Sequence, residues 1–195
     1  MFNAEPLVLV DDDEGGVRYL PDLIDIDHAQ AWFAVLRDNI AWTSERRPMY
    51  DRIVDVPRLT AGFALNDAAL PVELRLACTI VREVVDAPFT HVGMNFYRDG
   101  RDSVAPHNDK LHNLAHGHPI ALLSLGATRR MEIRDKLPPR RVRRVEVEPG
   151  SLLIMSHASQ FHYEHGIPKT RDPVGPRISV VFRVRPADTA MRASR

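Results

Sequence analysis

Apolar residues recur every three or four positions in two segments of the first half of the chain, which is the spacing of a helix face. Asp27, with Gln30 three residues later, has the pattern of an N-cap and predicts that the first helix begins there. Its expected apolar stripe consists of Ala29, Trp32, Phe33, Leu36 and Ile40. Pro71 opens the second predicted helix, which runs to residue 87. Its expected stripe consists of Leu76, Ile80, Val81, Val84 and Val85.

After residue 90 the pattern changes to short runs of β-branched or alternating residues, which predict strands. The runs are HVGMNFY, IALLSLG, RRMEIR, RRVEVE, SLLIMS and RISVVFRV, and the dipeptides DG, PP, PG and GP separate them. Between the two helices, residues 45–65 mix strand-like pieces with prolines and predict an extended hairpin or lid. Two helices followed by many strands indicate an α+β fold, with both helices on one face of an antiparallel sandwich or jelly roll.

Length and composition limit the classes of protein that the chain can form. With 195 residues, 44% of them hydrophobic, it is expected to be a single domain with its own core. Acidic and basic residues balance at 26 each, so no overall positive field draws the chain to nucleic acid. The one cysteine, Cys78, falls in the second helix and is expected to be a buried apolar residue, which suits a reducing cytoplasm.

The sequence also bears on membranes and partners. No apolar run approaches the roughly 18 residues of a membrane span, and the N-terminus lacks the basic and apolar regions of a signal peptide. A soluble cytoplasmic protein is therefore expected, without a membrane partner, and no obligate protein partner is indicated.

The stretch NFYRDGRDSVAPHND places a histidine and an aspartate two positions apart, shortly after an Asp-Gly turn. In a strand, residues i and i+2 share a face, so His107 and Asp109 can present a nitrogen and a carboxylate oxygen to one point. A second histidine, from His157, His162 or His165, would complete two histidines and one carboxylate. That set binds Fe(II) on one face of the ion and leaves positions open. The short pattern also arises by chance, and the alternative is a pair of surface polar residues.

The last predicted strand carries arginines on a face that points inward. One face of PRISVVFRV carries Arg177, Ser179, Val181 and Arg183, and the other carries only apolar residues. Inward arginines are costly unless anions neutralise them, and a dicarboxylate such as 2-oxoglutarate has suitable geometry. The alternative is that both arginines reach solvent at the rim of the sheet.

Four motifs, taken in order along the chain, resemble the AlkB family of Fe(II)/2-oxoglutarate dioxygenases. They are NFYRDG…HND, PIALLSLGATRRMEIR, GSLLIM…HGIP and PRISVVFR. The resemblance covers about residues 57–185 and includes PRLTA at 57–61, which is similar to the segment that opens the nucleotide-recognition part of the family. It implies a double-stranded β-helix (jelly roll) with the two N-terminal helices on one face. A single domain over 1–195 is expected, with a substrate lid at about 43–70 and a catalytic core at about 90–186.

The resemblance also implies roles for single residues. The implied iron ligands are His107, Asp109 and His165, the last preferred over His162 because the family's distal histidine precedes a stretch like HGIP. Strand alternation agrees, since positions 162 and 165 on one strand would point to opposite faces. The residues implied to bind 2-oxoglutarate are Asn95, Tyr97, Arg177, Ser179 and Arg183. The implied reaction uses O2 to oxidise an N-methyl group and releases formaldehyde, succinate and CO2, with no protein nucleophile.

Two positions depart from the family's pattern. Leu111 stands where the family usually has an acidic residue that helps to read the base, and Ser179 stands where it usually has asparagine. Serine can still donate a hydrogen bond, whereas leucine cannot contact an exocyclic group of a base in the same way.

The expected substrate is alkylated DNA or RNA, and two segments could bind it. Residues 134–144 hold six basic side chains and one acid, so phosphate contacts are expected there. The arginines concerned are Arg140, Arg141, Arg143 and Arg144. In the lid, Met49 and Tyr50 lie near Arg58 in sequence and could wedge or stack a flipped base. The alternatives are a solvated loop and an apolar pair in the core.

Two functional readings follow. The first is an N-alkyl demethylase of DNA or RNA. The second is an Fe(II)/2-oxoglutarate hydroxylase of a small molecule or protein, with the same core and a different lid. A jelly-roll binding module that has lost its metal is disfavoured because all three ligands are present. Formaldehyde release from methylated oligonucleotides separates the first two.

Overall fold

A computed structural model of the chain describes residues 5–49 and 52–186, with side chains described for 5–44 and 56–186. Within these ranges twelve strands form two antiparallel sheets, and helices are few. The strands are β1 (Leu7–Val10), β2 (Val17–Leu20), β3 (Thr43–Met49), β4 (Arg52–Ala64), β5 (His91–Tyr97), β6 (Val104–His107), β7 (Ile120–Gly126), β8 (Arg129–Asp135), β9 (Val142–Val147), β10 (Leu152–Met155), β11 (Tyr163–Ile167) and β12 (Arg177–Arg183). The helices are α1 (Ile26–Asn39), α2 (Val72–Val84) and the short α3 (Ser159–His162), and Leu111–Asn113 form a 3₁₀ turn.

The larger sheet has eight strands in the order β1-β2-β10-β7-β12-β5-β4-β3, and the smaller has four in the order β6-β11-β8-β9. The six runs predicted as strands are present as β5, β7, β8, β9, β10 and β12. The predicted hairpin between the helices is also present, because β3 and β4 pair antiparallel at the edge of the larger sheet. The other strands, β1, β2, β6 and β11, lie where the apolar pattern predicts none.

Helix α1 begins two residues before its predicted start. Its N-cap is Asp25, whose side chain accepts a hydrogen bond from the backbone amide of His28 at 2.9 Å. The prediction of Asp27 as the cap is wrong, because the carboxylate that reaches the free amides of the first turn belongs to Asp25. Three residues of the predicted stripe, Ala29, Trp32 and Leu36, are buried.

Helix α2 begins after Pro71 as predicted, and four of the five residues of its predicted stripe, Ile80, Val81, Val84 and Val85, pack in the core. Its buried residues are Leu74, Ala77, Cys78 and Val81, which follow the i, i+3, i+4, i+7 spacing. The placement of Leu76 in the core is wrong, since it lies off this row and is 48% exposed. No helix in the described ranges is long and apolar enough to cross a membrane.

Two apolar clusters lie on opposite faces of β12. Ile178, Val180 and Phe182 belong to the cluster that also holds the buried residues of α1 and α2. Val181, on the other face, belongs to a cluster that includes Met131 of the smaller sheet. The predicted alternation in β12 is therefore confirmed, and its odd-numbered positions face the space between the two sheets.

Strand β11 approaches β6 closely at a glycine. A Cβ atom on Gly166 would lie 2.9 Å from the carbonyl oxygen of Val104 and 3.0 Å from the nitrogen of Pro106. Both atoms belong to backbone and cannot rotate away, so only glycine lets the two strands pair at this distance.

Gly166→Ala is expected to destabilise the fold by about 1–3 kcal/mol, because the added methyl group forces β11 away from β6. The measurement is the midpoint of urea unfolding. The matched control is Gly175→Ala, whose Cβ would meet only the Cβ of Ala127 at an ordinary 3.4 Å. The control is expected to stay within about 0.5 kcal/mol of the parent. Equal stability of the two variants would show that the β6–β11 spacing is not constrained.

Candidate active site

Two histidines face each other across the β6–β11 pair. His107 ends β6, and His165 on β11 is its direct partner in the antiparallel register. The ring centroids lie 4.5 Å apart. The strand ladder thus fixes both imidazoles on one side of the smaller sheet, and each offers a nitrogen to the same space.

Asp109 completes the group from outside the strands. Strand β6 ends at His107, so the expectation that both residues lie on one strand is wrong, although their side chains do converge. Asp109 Oδ1 lies 4.0 Å from His107 Nε2, and ligand atoms of Asp109, His107 and His165 all lie within 4.8 Å of one another. Among the described residues this is the one group of three or more such side chains spaced to hold a metal ion.

Hydrogen bonds and burial prepare the three side chains to bind a divalent cation. His107 Nδ1 lies 2.9 Å from the carbonyl oxygen of Ala105, which assigns the proton to Nδ1 and leaves Nε2 free to bind a metal. Burial lowers the pKa of His165 to about 3, so its imidazole is neutral above that range. Burial raises the pKa of Asp109, but the charge and hydrogen bond of Arg183 outweigh it, and the net pKa is lowered. Two imidazoles and one carboxylate form the donor set that suits Fe(II).

His162 lies outside this group. It ends α3 and is exposed, so it is not on the strand that carries His165, and the strand-alternation argument against it does not apply. His157, the third candidate, is buried and packs its ring against His116 at 4.8 Å. Neither side chain belongs to the group of converging ligand atoms.

A cavity of about 620 Å³ opens beside the three converging side chains. Its walls include four of the five residues predicted to bind 2-oxoglutarate, namely Asn95, Tyr97, Ser179 and Arg183. Asn95 and Ser179 are direct neighbours in the β5–β12 register, and Asn95 Nδ2 donates to Ser179 Oγ at 3.3 Å. The sheet register therefore brings these residues to one wall.

Arg177, the fifth residue, is fully buried behind Tyr97. Its guanidinium lies 5.4 Å from the centroid of the Tyr97 ring, and its Nε donates to Ser124 Oγ at 2.9 Å. Its Nη1 and Nη2 atoms have no hydrogen-bond partner within the described ranges. Burial lowers the pKa of Arg177 to about 10, which leaves it charged at neutral pH. A carboxylate is the ligand that would satisfy two parallel N–H groups of a buried guanidinium.

Arg183 is already engaged with the chain. Its Nε donates to Asp109 Oδ2 at 2.6 Å, so one carboxylate oxygen faces an arginine and the other faces the histidines. The two arginines of β12 therefore differ: Arg183 neutralises Asp109, while Arg177 retains two unpaired nitrogens.

Only one of the residues predicted to bind substrate, Arg58, lines the cavity in the described part of the chain. Arg58 lines it and donates from Nε to Asn95 Oδ1 at 2.8 Å. The side chain of Met49 and the whole of Tyr50 lie outside the described residues. Leu111 opens the 3₁₀ turn and is not on the cavity wall.

The basic loop does not line the cavity, and three of its arginines, Arg134, Arg143 and Arg144, are paired with carboxylates. Arg143 Nη1 lies 2.6 Å from Asp135 Oδ1, and Arg144 Nε lies 3.1 Å from Glu132 Oε1. Arg140 and Arg141 are exposed and have no carboxylate partner in the described part of the chain. The positive charge of the loop is thus concentrated at its tip.

Sequence reasoning missed five polar residues on the cavity wall: Ser103, Asn108, Lys110, Asn113 and Arg185. The strand alternation could have indicated Arg185, because position 185 is the next odd-numbered position after the end of β12. Lys110 and Asn113 lie in irregular chain and a 3₁₀ turn, where no periodicity indicates direction. With Arg58 and Arg183, the wall carries four cationic side chains and the single carboxylate of Asp109.

Comparison with known proteins agrees with this site. Residues 64–183 match the family model of the 2OG-Fe(II) oxygenase superfamily, whose members use Fe(II), 2-oxoglutarate and O2. The chain is 33% identical over 183 residues to the alpha-ketoglutarate-dependent dioxygenase alkB homolog 3 of Mus musculus, covering 84% of this chain and 64% of that protein. It is 37% identical over 110 residues to the DNA oxidative demethylase ALKBH2 of Homo sapiens, covering 53% of this chain and 42% of that protein. The chain thus spans less than two thirds of the length of these relatives.

The solved structure of OsALKBH1 has the same overall fold, with a TM-score of 0.63 at 15% identity over 87% of this chain and 98% of that one. The chain belongs to the 2OG-Fe(II) oxygenase superfamily and, within it, to the AlkB family. The family predicted from the sequence motifs is confirmed.

Arg177→Met is expected to stabilise the ligand-free chain by about 0.5–2 kcal/mol while removing stabilisation by 2-oxoglutarate. The reason is that the parent holds a buried guanidinium with two unpaired nitrogens. The measurement is urea unfolding with and without 2-oxoglutarate and Mn(II).

The matched control is Arg129→Met. Arg129 is equally buried, but its nitrogens donate to the carbonyl oxygens of Asp99, Asp102 and Pro168. This change is expected to destabilise the chain by about 1–3 kcal/mol. A loss of stability in Arg177→Met as large as in the control would contradict the assignment of Arg177 as an unsatisfied charge.

Proposed function

We propose that the chain is an Fe(II)/2-oxoglutarate-dependent dioxygenase that oxidatively demethylates N-alkylated bases in DNA or RNA. The observation that carries the proposal is a His-Asp-His group on the wall of a cavity whose lining residue Tyr97 packs against the buried, anion-free guanidinium of Arg177. The names of the relatives, a dioxygenase and a DNA oxidative demethylase, favour nucleic acid as the substrate.

The fold that we assign is a double-stranded β-helix in one domain. The two sheets enclose the cavity, and both long helices share a core with the outward face of the larger sheet. Residues 90–186 form the catalytic core, and the β3–β4 hairpin within 43–70 forms the substrate lid. Val56, Pro57 and Arg58 of β4 line the cavity, which supports this role of the hairpin.

His107, Asp109 and His165 would hold the iron. His107 binds through Nε2, because its Nδ1 faces a carbonyl oxygen, and Asp109 binds through Oδ1, because its Oδ2 faces Arg183. Bound there, Fe(II) with 2-oxoglutarate supplies the activation of O2 that oxidises the N-methyl group, with succinate, CO2 and formaldehyde as products.

The remaining polar groups of the core orient the co-substrate. Arg177 binds one carboxylate of 2-oxoglutarate with its two unpaired nitrogens. Tyr97 and Ser179 lie beside that position, and Asn95 is held against Ser179. Arg183 keeps Asp109 ionised, and its place on the cavity wall sets the positive potential that draws a dianion in.

The cavity wall carries positive charge, which the binding of a nucleic-acid strand requires. Arg58, Lys110 and Arg185 line the cavity, and the exposed Arg140 and Arg141 add phosphate contacts at the loop tip. Arg143 and Arg144 contribute less, since carboxylates already pair with them. A base flipped out of its strand would enter the cavity and meet loose, mainly steric selection, because Leu111 offers no hydrogen bond.

A hydroxylase of a small molecule or protein is the second candidate. The replacement of the family's acidic residue by Leu111 favours it, because that change removes a contact specific to a base. Such an enzyme would form succinate without formaldehyde from any methylated oligonucleotide.

Formaldehyde release from a methylated single strand is expected, dependent on Fe(II) and 2-oxoglutarate. Asp109→Ala and His165→Ala should lose both iron and formaldehyde release, because each removes a ligand that the other residues cannot replace. His162→Ala is the control and should retain both. Iron content and formaldehyde are measured on the same preparations.

Two results would contradict this assignment. Full iron content in Asp109→Ala would show that Asp109 is not an iron ligand. Loss of iron in His162→Ala but not in His165→Ala would show that the second histidine ligand is His162. Iron-dependent succinate formation without formaldehyde from any methylated base would instead select the hydroxylase.

Phosphate contacts at the loop tip should appear in the salt dependence of binding. Neutralising Arg140 and Arg141 together is expected to flatten the slope of log affinity against log salt by about 1.5, since each contact contributes about 0.7–0.9. The double variant Arg143→Gln/Arg144→Gln is the matched control and should leave the slope close to the parent value. Fluorescence anisotropy with methylated and unmethylated strands measures the slopes of both double variants. Equal slopes would show that the loop tip does not contact the nucleic acid.

A further inference from the structure

A buried amide side chain holds Asp109 from behind. The backbone amide of Asp109 donates to Gln160 Oε1 at 2.9 Å, and Gln160 is only 2% exposed. Because the donor is an N–H group, the acceptor must be the amide oxygen, which fixes the orientation of the Gln160 side chain. Gln160 lies on α3, a short turn that precedes β11.

Asp109 needs such a contact because the strand ladder does not reach it. His107 and His165 are held by the pairing of β6 with β11, whereas Asp109 lies two residues beyond the end of β6. Its carbonyl oxygen accepts from Asn108 Nδ2 at 2.9 Å, which is a contact within the same loop. Gln160 therefore supplies the backbone contact between this loop and the core.

Gln160 is itself fixed by buried hydroxyl groups. Its Nε2 donates to Ser159 Oγ at 3.1 Å, and Ser159 Oγ donates to the carbonyl oxygen of Ser156 at 2.7 Å. Ser156 Oγ donates to Asp12 Oδ2 at 2.7 Å. Ser156 and Ser159 are 2% and 1% exposed, so water does not compete for these bonds. The chain of bonds ends at the turn between β1 and β2, where Gly16 N donates to Asp12 Oδ1 at 2.7 Å.

We propose that Gln160 is a positioning residue for the metal centre, which acts through the backbone amide of Asp109 and sets where its carboxylate points. The inference rests on the proposed function, since it takes Asp109 as an iron ligand. Arg183 restrains one carboxylate oxygen, and Gln160 restrains the backbone from which the carboxylate projects. Partners of this kind commonly change metal affinity by 10–100-fold when they are removed.

Two variants test separately the hydrogen-bond acceptor of Gln160 and the length of its side chain. Gln160→Met keeps the size of the side chain and removes the acceptor, while Gln160→Asn keeps the amide but withdraws it by one carbon–carbon bond, about 1.5 Å. Both should bind Mn(II) about 10–100-fold more weakly than the parent in calorimetry of the metal-free chain. The affinity for 2-oxoglutarate at saturating Mn(II) should stay at the parent value, because the Arg177 subsite is untouched. The spectrum of bound Co(II) should shift, which a purely structural role would not produce.

The control is Phe161→Leu, which alters the next residue of the same turn at a half-exposed position. It should keep the parent's affinity for Mn(II). If the Gln160 variants do not fold, Ser159→Ala tests the same contact one bond further away and should weaken Mn(II) binding by a smaller factor.

Parent affinity for Mn(II) in both Gln160 variants, or an equal loss in Phe161→Leu, would overturn the proposal. If the Gln160 variants do not fold, an unchanged affinity for Mn(II) in Ser159→Ala would also overturn the proposal. Failure of the proposed function would look different: the parent would then bind no Mn(II) at the His-Asp-His group, or would bind it and release no formaldehyde.

Discussion

Positive charge inside the fold is the constraint on which the site depends. Arg177 and Arg183 project from one face of β12 into the space between the sheets, where a guanidinium without an anion costs free energy. Asp109 neutralises Arg183 at 2.6 Å, whereas Arg177 keeps two nitrogens without a partner in the described ranges. The chain therefore supplies one of the two anions that its own last strand requires. In the proposed function, a carboxylate of 2-oxoglutarate supplies the other.

This arrangement ties the proposed metal ligands to the cavity wall that carries Arg183. Asp109 presents one oxygen to Arg183 and the other to the histidines, so its carboxylate is shared between the two halves of the site. The histidines are placed by strand register, which tolerates little change because Gly166 lets β11 lie against the backbone of β6. Asp109 is placed by side chains instead. The site thus combines a rigid pair of ligands with a third whose position depends on Arg183 and on Gln160.

The sequence predicted the parts of the structure that have a clear period. Strand β12 alternates cleanly, and from that alternation the inward direction of Arg177 and Arg183 followed correctly. Strands β6 and β11 could not be found in this way, because they have four and five residues and carry the polar residues of the site. In α2 the sequence placed Leu76 in the core instead of Leu74, because the two leucines are equally hydrophobic and only packing distinguishes them.

Single polar residues were the least predictable. His162 and His165 are the same residue type three positions apart, and the HGIP motif selected His165. The argument from strand alternation failed, because position 162 ends a helical turn and is not in a strand. Gln160 gave no signal, since a glutamine in a short turn is ordinary until its partner is known. The ion pair of Asp109 with Arg183 joins residues 74 positions apart, which no local pattern can indicate.

One amide side chain, that of Asn95, bridges two strands of the cavity wall. Asn95 Oδ1 accepts from Arg58 Nε at 2.8 Å, while its Nδ2 donates to Ser179 Oγ at 3.3 Å. Arg58 belongs to β4 of the lid hairpin and Ser179 to β12, so Asn95 on β5 connects the strand on the substrate side to the strand of the arginines. A serine hydroxyl is shorter than the asparagine amide usual in the family, and the contact is accordingly long for a hydrogen bond. Asn95 therefore links β4 to β12 across the cavity wall, and its bond to Ser179 is the longer of these two side-chain hydrogen bonds.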